Sequence, residues 1–381
     1  MRYFQIFLIG LISAFLAPGG SSEPLVPRHS VEVQTMMSDM ARIPACGTPL
    51  VSATHSKRDS SYTRNWEHAD WEVQLVSPLV RYGRHVRGWV RSPTAVAVIP
   101  MVLAVAIWSS LALLMDKAVP SWTAFLKASS FSSAVGGLSA PVALLLTLRT
   151  NRALDRLLEA RQAWGVLIKS STSLASLVAT HVMPRDSYVA LLVARYAAIL
   201  GWSFKGFFMR EDDRSVIALA LPETEARWLG QSPLDTPTSI VLRIRTLVAS
   251  LDLPTSQGMT IDARLAEIEG SLGVCKRILG SPIPPTFSRH MSRALFLYLT
   301  LLPMGLVGAG VPPKAVILSS ALIAYVLVGI DEIGIEIEHP FRLLPLCSLS
   351  TMLQRNVVNM FASYDSLPNP SGSGLAGAPA T

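Results

Sequence analysis

Arg149, Arg152 and Arg156 stand at i, i+3 and i+7 directly after an apolar run, so they share one face of a helix. Guanidinium groups gathered there can draw anions toward the flank of a pore. They can equally pair with Asp155, Glu159 or the acids Asp331, Glu332, Glu336 and Glu338, or hold the helix at lipid headgroups. Just upstream, Ala140, Leu144 and Leu148 recur at i, i+4 and i+8 and form one aliphatic stripe. Such stripes from several subunits, set in a ring, make an apolar constriction that gates by dewetting. The same stripe also suits contact with lipid or with a neighbouring helix. The acids of 331–338 read as ion-pair partners, because an isolated acidic cluster in a membrane bundle is costly. Cys46, Cys275 and Cys347 have the spacing of neither a metal site nor a disulfide framework, and read as isolated thiols.

The elements that must position these residues are apolar and long. Half of the 381 residues are apolar and only 15% are charged, against a usual share of about 25%. Mean hydropathy is +0.40. The formal charge is +7, but the bases flank apolar runs instead of clustering on one solvated face. That points to lipid headgroups and away from nucleic acid. Residues 94–115 hold no charge over 22 positions, and a membrane span needs about 20. Further spans are expected at 131–148, 294–309 and 315–330, the last two joined by the tight turn Gly310–Lys314. Gly136, Gly137 and Ala140 are small enough to let helices approach closely.

Past Arg149 the helical pattern meets no breaker before Pro184, so one long helix leaves the bilayer as a stalk. Residues 186–209 are apolar but carry Arg195 and Lys205, which a span tolerates poorly. They read as a buried helix in an extramembrane portion. Residues 210–260, broken by prolines, predict short helices and loops. From 261 to 279, Leu265, Ile268, Leu272, Cys275 and Leu279 recur at helical spacing. Before the first span, Trp66, Trp71 and Trp89 accompany Arg81, Arg84, Arg87 and Arg91 as interfacial anchors, compatible with a solvated basic face. An even number of spans puts both termini on one side. The distribution of bases makes that side cytosolic or stromal.

The ends read as addresses and linkers. Residues 1–17 have the length and composition of a signal peptide, too short for a comfortable span. The junction Ser13-Ala14-Phe15-Leu16-Ala17-Pro18 resembles the cleavage site of bipartite plastid presequences. Residues 18–60, rich in Ser, Thr and Pro, then read as a transit-like segment of low order. They carry Glu23, Glu32, Asp39 and Asp59, more acid than such segments usually hold. Residues 365–381, of Gly, Ser, Pro and Ala, read as a disordered tail.

Two stretches go beyond general membrane character. Arg149–Gly165 reads RTNRALDRLLEARQAWG, and KRILGSPIPPTFSRH is followed, after a span, by GIDEIGIEIEHPF. In order and spacing they resemble the bestrophin family, in its bacterial and plastid branch. That resemblance implies an all-α membrane protein with four transmembrane helices and an extended cytosolic or stromal helical portion, assembled as a homopentamer over residues 61–364. It places Ala140, Leu144 and Leu148 on the pore neck and Ile283, between Pro282 and Pro284, on a second constriction at the cytosolic or stromal mouth. It implies a passive chloride channel of the thylakoid membrane, voltage-dependent, that modulates the electrical part of the proton motive force. Small anions and membrane lipid are the expected partners.

This chain departs from the family in places. Its neck residues are smaller than the Phe or Ile often found there, and Leu157-Leu158 stand where tryptophans are common. After Phe341 no carboxylate run follows, so no calcium clasp is expected. No nucleophile motif, no titratable cluster within a span and no inverted repeat point to an enzyme or coupled transporter. No cofactor or metal is expected. A non-conducting scaffold and a coupled anion transporter remain the other classes.

Overall fold

Apolar runs bounded by proline set the architecture. The structure, a computed structural model, describes residues 30–43, 65–89, 92–128 and 130–367. The signal-like segment 1–17 lies outside them, as do most of the transit-like segment and residues 368–381 of the tail. Every regular element among the described residues is helical.

Four helices form the apolar layer: α4 (Pro93–Ala118), the first part of α6 (Phe131–His181), α12 (Pro285–Gly308) and α13 (Pro313–Glu338). Short α5 (Pro120–Ala128) connects α4 to α6. Proline opens α4, α12 and α13, where its missing N–H removes a donor that would have no partner. Their shared core comprises Val105, Val135, Val142, Leu146, Met291, Leu295, Leu299 and Ala324. Close approach is achieved on α12. A Cβ on Gly305 would stand 3.0 Å from Val135, and one on Gly308 would stand 2.8 Å from the Leu126 carbonyl oxygen. Gly136 and Gly137, expected to serve that purpose, have open space where a Cβ would go.

At about 1.5 Å of rise per residue, the 51 residues of α6 reach about 76 Å. A bilayer core takes about 30 Å of that. The remainder is the stalk, and a second, larger core forms around it. That core joins Trp164, Leu167 and Leu174 to α7 (Ser187–Met209), α10 (Thr236–Ala249), α11 (Thr255–Gly280) and α15 (Leu346–Asp365). The periodicity of α11 is realised in buried Leu265, Ile268, Leu272 and Cys275, while Leu279 is exposed. Short α8 (Arg214–Ala220), α9 (Glu223–Gln231) and α14 (Pro340–Leu343) complete this portion.

Among the described residues five helices are long and apolar enough to cross a membrane, α7 among them. Within its most apolar stretch α7 is 83% buried inside the chain, against 17–44% for the other four. It has no free face to offer lipid. Its charges are matched internally: Arg195 to Asp39, at 2.7 Å, and Lys205 to Glu211.

Two expectations need correction. Residues 18–60 are not of low order throughout, because Ser30–Ala41 is helix α1. Val33, Met36 and Met40, at i, i+3 and i+7, are buried in the larger core, and the Gln354 amide donates to the Met40 carbonyl. The acids that seemed excessive for a transit segment include Asp39, the partner of Arg195. Nor are the cysteines all isolated thiols. Cys275 is free and buried, but Cys347 is disulfide-bonded.

Before the apolar layer come α2 (His68–Gln74) and α3 (Pro78–Gly88), neither of which has a buried residue.

Candidate functional site

Helix α6 presents two unlike faces in its apolar half. Val135, Val142, Leu146, Arg149 and Ala153 are buried against the chain. On the other side Gly136, Gly137, Ser139, Ala140, Ala143, Leu144, Thr147, Leu148 and Asn151 are exposed. The outward faces of α4 and α13 are different: Val96, Ile99, Leu103, Ile107 and Leu111 on one, Leu318, Leu322 and Val326 on the other. Those large aliphatic surfaces suit acyl chains. The exposed face of α6 carries mostly small and hydroxyl-bearing residues, interrupted by Leu138, Pro141, Leu144 and Leu148, a composition that suits close approach of a second backbone or contact with water. Ala140, Leu144 and Leu148 therefore lie together on a face that the chain leaves unfilled.

The three arginines do not act as a set. Arg149 turns inward: its side chain is 5% exposed and pairs with Asp331 and, at 3.6 Å, with Glu338 of α13. Arg156 leans across to the end of α11, where Nη2 donates to the Ile278 carbonyl at 2.6 Å and Nη1 to that of Ser281 at 2.5 Å. The last carbonyls of a helix have no partner within it, and a guanidinium there satisfies two of them and favours the negative end of the helix dipole. The adjacent ion pair Arg277–Glu159 ties the same helix end to α6. Arg152 is exposed, with no hydrogen bond or ion pair among the described residues.

Ile283 is half-buried in the turn between α11 and α12, flanked by exposed Pro282 and Pro284. The prolines fix their own φ and restrict the residues before them. Arg156 clamps the start of this turn to α6, so the position of Ile283 is set from that helix. Sequence reasoning grouped Arg156 with Arg149 and Arg152 and did not foresee the carbonyls of another helix as its partners. Of the four acids, Asp331 and Glu338 meet Arg149. His339, just beyond, is buried enough to hold its imidazole below the ordinary value, with Arg342 and Arg156 adding to the effect. Among the described residues no three His, Cys, Asp or Glu side chains are grouped closely enough to hold a metal ion.

Such an arrangement, a long helix with an unfilled face inside an apolar layer and an arginine-pinned turn beside its base, is that of a helical membrane protein. The family model described as bacterial/fungal bestrophin protein matches residues 77–359. The chain belongs to the bestrophin family. Chloroplastic voltage-dependent chloride channel 2 of Arabidopsis thaliana is 26% identical over 342 residues, covering 85% of this chain and 78% of the relative. A voltage-dependent anion channel-forming protein of Nostoc is 28% identical over 226 residues, 56% of this chain and 72% of the relative. A bacterial bestrophin homolog from Klebsiella pneumoniae shares the fold, with a TM-score of 0.64 and 23% identity over 70% of this chain and 98% of that one.

Proposed function

We propose that this chain is one subunit of a homopentameric passive chloride channel. Four spans, α4, the start of α6, α12 and α13, cross the bilayer, and the exposed face of α6 lines the shared axis. Ala140, Leu144 and Leu148 form the neck, and Ile283 forms a second ring at the mouth on the side of the stalk. The observation that carries this reading is the unfilled face of α6, small and partly polar where α4 and α13 are bulky and aliphatic. The identity to voltage-dependent chloride and anion channels supports it. Apolar rings bind a partly dehydrated anion weakly, so it can leave as readily as it enters.

Arg152 supplies the unpaired positive field beside the path, while Arg149 and Arg156 hold the frame. The presequence-like start and the chloroplastic relative support a thylakoid membrane, with the stalk in the stroma. Chloride moving there relaxes the electrical component of the proton motive force without consuming a substrate. Purified protein in liposomes is expected to pass chloride over potassium, and Leu144→Trp to block that flux. Potassium selectivity, or a Leu144→Trp flux equal to the parent, rejects the assignment.

A further inference from the structure

The stalk carries a groove of about 700 Å³ between α6 and α15. Along its α6 wall Arg161, Gly165 and Lys169 stand at i, i+4 and i+8, so the glycine lies midway between two bases. The helix rises about 12 Å from the first base to the second. Leu349, Met352 and Met360 of α15 make the facing wall apolar, with Asn356 among them. Ser173 and Ser176 extend the α6 wall past Lys169. The side chains of Arg161, Ser173, Ser176 and Asn356 form no hydrogen bond or ion pair among the described residues. Lys169 acts through space on Glu267, but that carboxylate is already engaged by Arg264 at 2.8 Å and by the Ser170 hydroxyl at 2.5 Å. Glycine inside a helix is destabilising relative to alanine. No neighbour within the chain uses the room it leaves, since a Cβ on Gly165 would meet nothing within 4 Å.

We propose that this groove binds an elongated organic dianion, with a carboxylate at each end and an aliphatic middle. One carboxylate meets Arg161 and the other Lys169, while the methylenes pass over Gly165 against Leu349 and Met352. Ser173, one turn beyond Lys169, is a further donor to the second carboxylate. Three observations favour such a ligand over a solvated basic face. Two bases border one groove, and neither has an acid of its own. The wall opposite them is aliphatic, which water does not reward, and methionine moulds itself to a flexible chain. The glycine between the bases holds a slot open that the fold itself leaves empty. Concave, mostly apolar walls with a few polar groups to fix orientation are the usual make-up of a small-molecule site. This inference rests on α6 leaving the bilayer before Arg161 and not on conduction.

The test titrates decanedioate by calorimetry into the full chain held in phosphatidylcholine nanodiscs, with the heat from empty nanodiscs subtracted. Saturable binding of one molecule per chain is expected, weakening as salt rises. Butanedioate is too short to reach both bases and should bind roughly tenfold more weakly, having lost one ion pair and the methylene contacts. Arg161→Gln and Lys169→Gln should each weaken decanedioate about fivefold, the upper end for an exposed ion pair. Gly165→Leu fills the slot and should abolish binding. It should nevertheless melt at or above the parent, because leucine favours the helix and the space is open. The absence of saturable heat, equal affinity for butanedioate, or binding that survives Gly165→Leu overturns the proposal. None of these readings involves flux, so they stand or fall apart from the channel assignment.

Discussion

Arginines on one helix face divide their work by what faces them. Arg149 is enclosed with two carboxylates, and removing it leaves Asp331 and Glu338 half-buried without their cation. Breaking a buried pair from one side typically costs about 3–5 kcal/mol. Arg149→Met is therefore expected to melt far below the parent or to aggregate on size exclusion. Arg152 has no such partner, so Arg152→Ala should melt with the parent. If it lies beside the proposed ion path, chloride flux should drop several-fold at low ionic strength and approach the parent at high salt, because the field of an exposed charge is screened. Flux ratios at the two salt levels check this, and a salt-independent deficit would argue against an electrostatic role.

Asp213 gives a prediction in pH at the same scale. Burial pushes its carboxyl up from 3.8 to about 6, helped by Asp212 and opposed by its own backbone hydrogen bond and Arg214. A Cβ placed on Gly206 would stand 3.1 Å from it, which shows how closely α7 covers the group. The folded state holds this proton more tightly than the unfolded chain. Stability therefore falls as pH rises through that window and levels off above it. Asp213→Asn removes the loss. Its melting temperature should exceed the parent's above pH 6 and converge on it below 3.8.

At the scale of elements, glycine position separates two kinds of close approach. A Cβ on Gly308 would stand 2.8 Å from the Leu126 carbonyl oxygen, which cannot rotate away as a side-chain tip can. Gly308→Ala is expected to cost about 1–3 kcal/mol by overpacking. Gly136→Ala and Gly137→Ala meet nothing within the chain, so loss of the folded subunit is not expected from them. Thermal melts of the three variants side by side decide the point. The sequence marked Gly136, Gly137 and Ala140 as small enough for close approach without saying to what, and within the chain that approach is made at Gly305 and Gly308. The apolar helices themselves were legible, since an uncharged run of 22 residues has few other uses. So was the stalk, where nothing interrupts hydrogen bonding from Phe131 to His181 except Pro141. The buried character of α7 followed from Arg195 and Lys205. Helix α1 was missed because Ser, Thr and Pro around it set its composition, although Val33, Met36 and Met40 already carried a helical period. The Arg156 clamp was illegible for a different reason: a capping partner from another helix leaves no mark on local spacing.

The whole molecule raises the question of what fills the free face of α6, and arithmetic on a ring can answer it. If five copies place residue 144 around one axis, Leu144→Cys brings thiols close enough to oxidise across the neck. Each disulfide joins two chains, so an odd ring always leaves one chain over. A tetramer or hexamer can pair every chain, and a monomer facing lipid pairs none except by collision. Oxidation of the purified assembly, kept intact in detergent and then run denatured without reductant, is expected to give dimer with a monomer remainder that longer oxidation does not remove. Cys275, buried in the stalk core, should not contribute. The same substitution at Leu103, on the bulky outward face of α4, should give no dimer. Complete conversion at 144 would exclude an odd ring, and dimer at 103 but not at 144 would place the axis on the opposite side of the bundle.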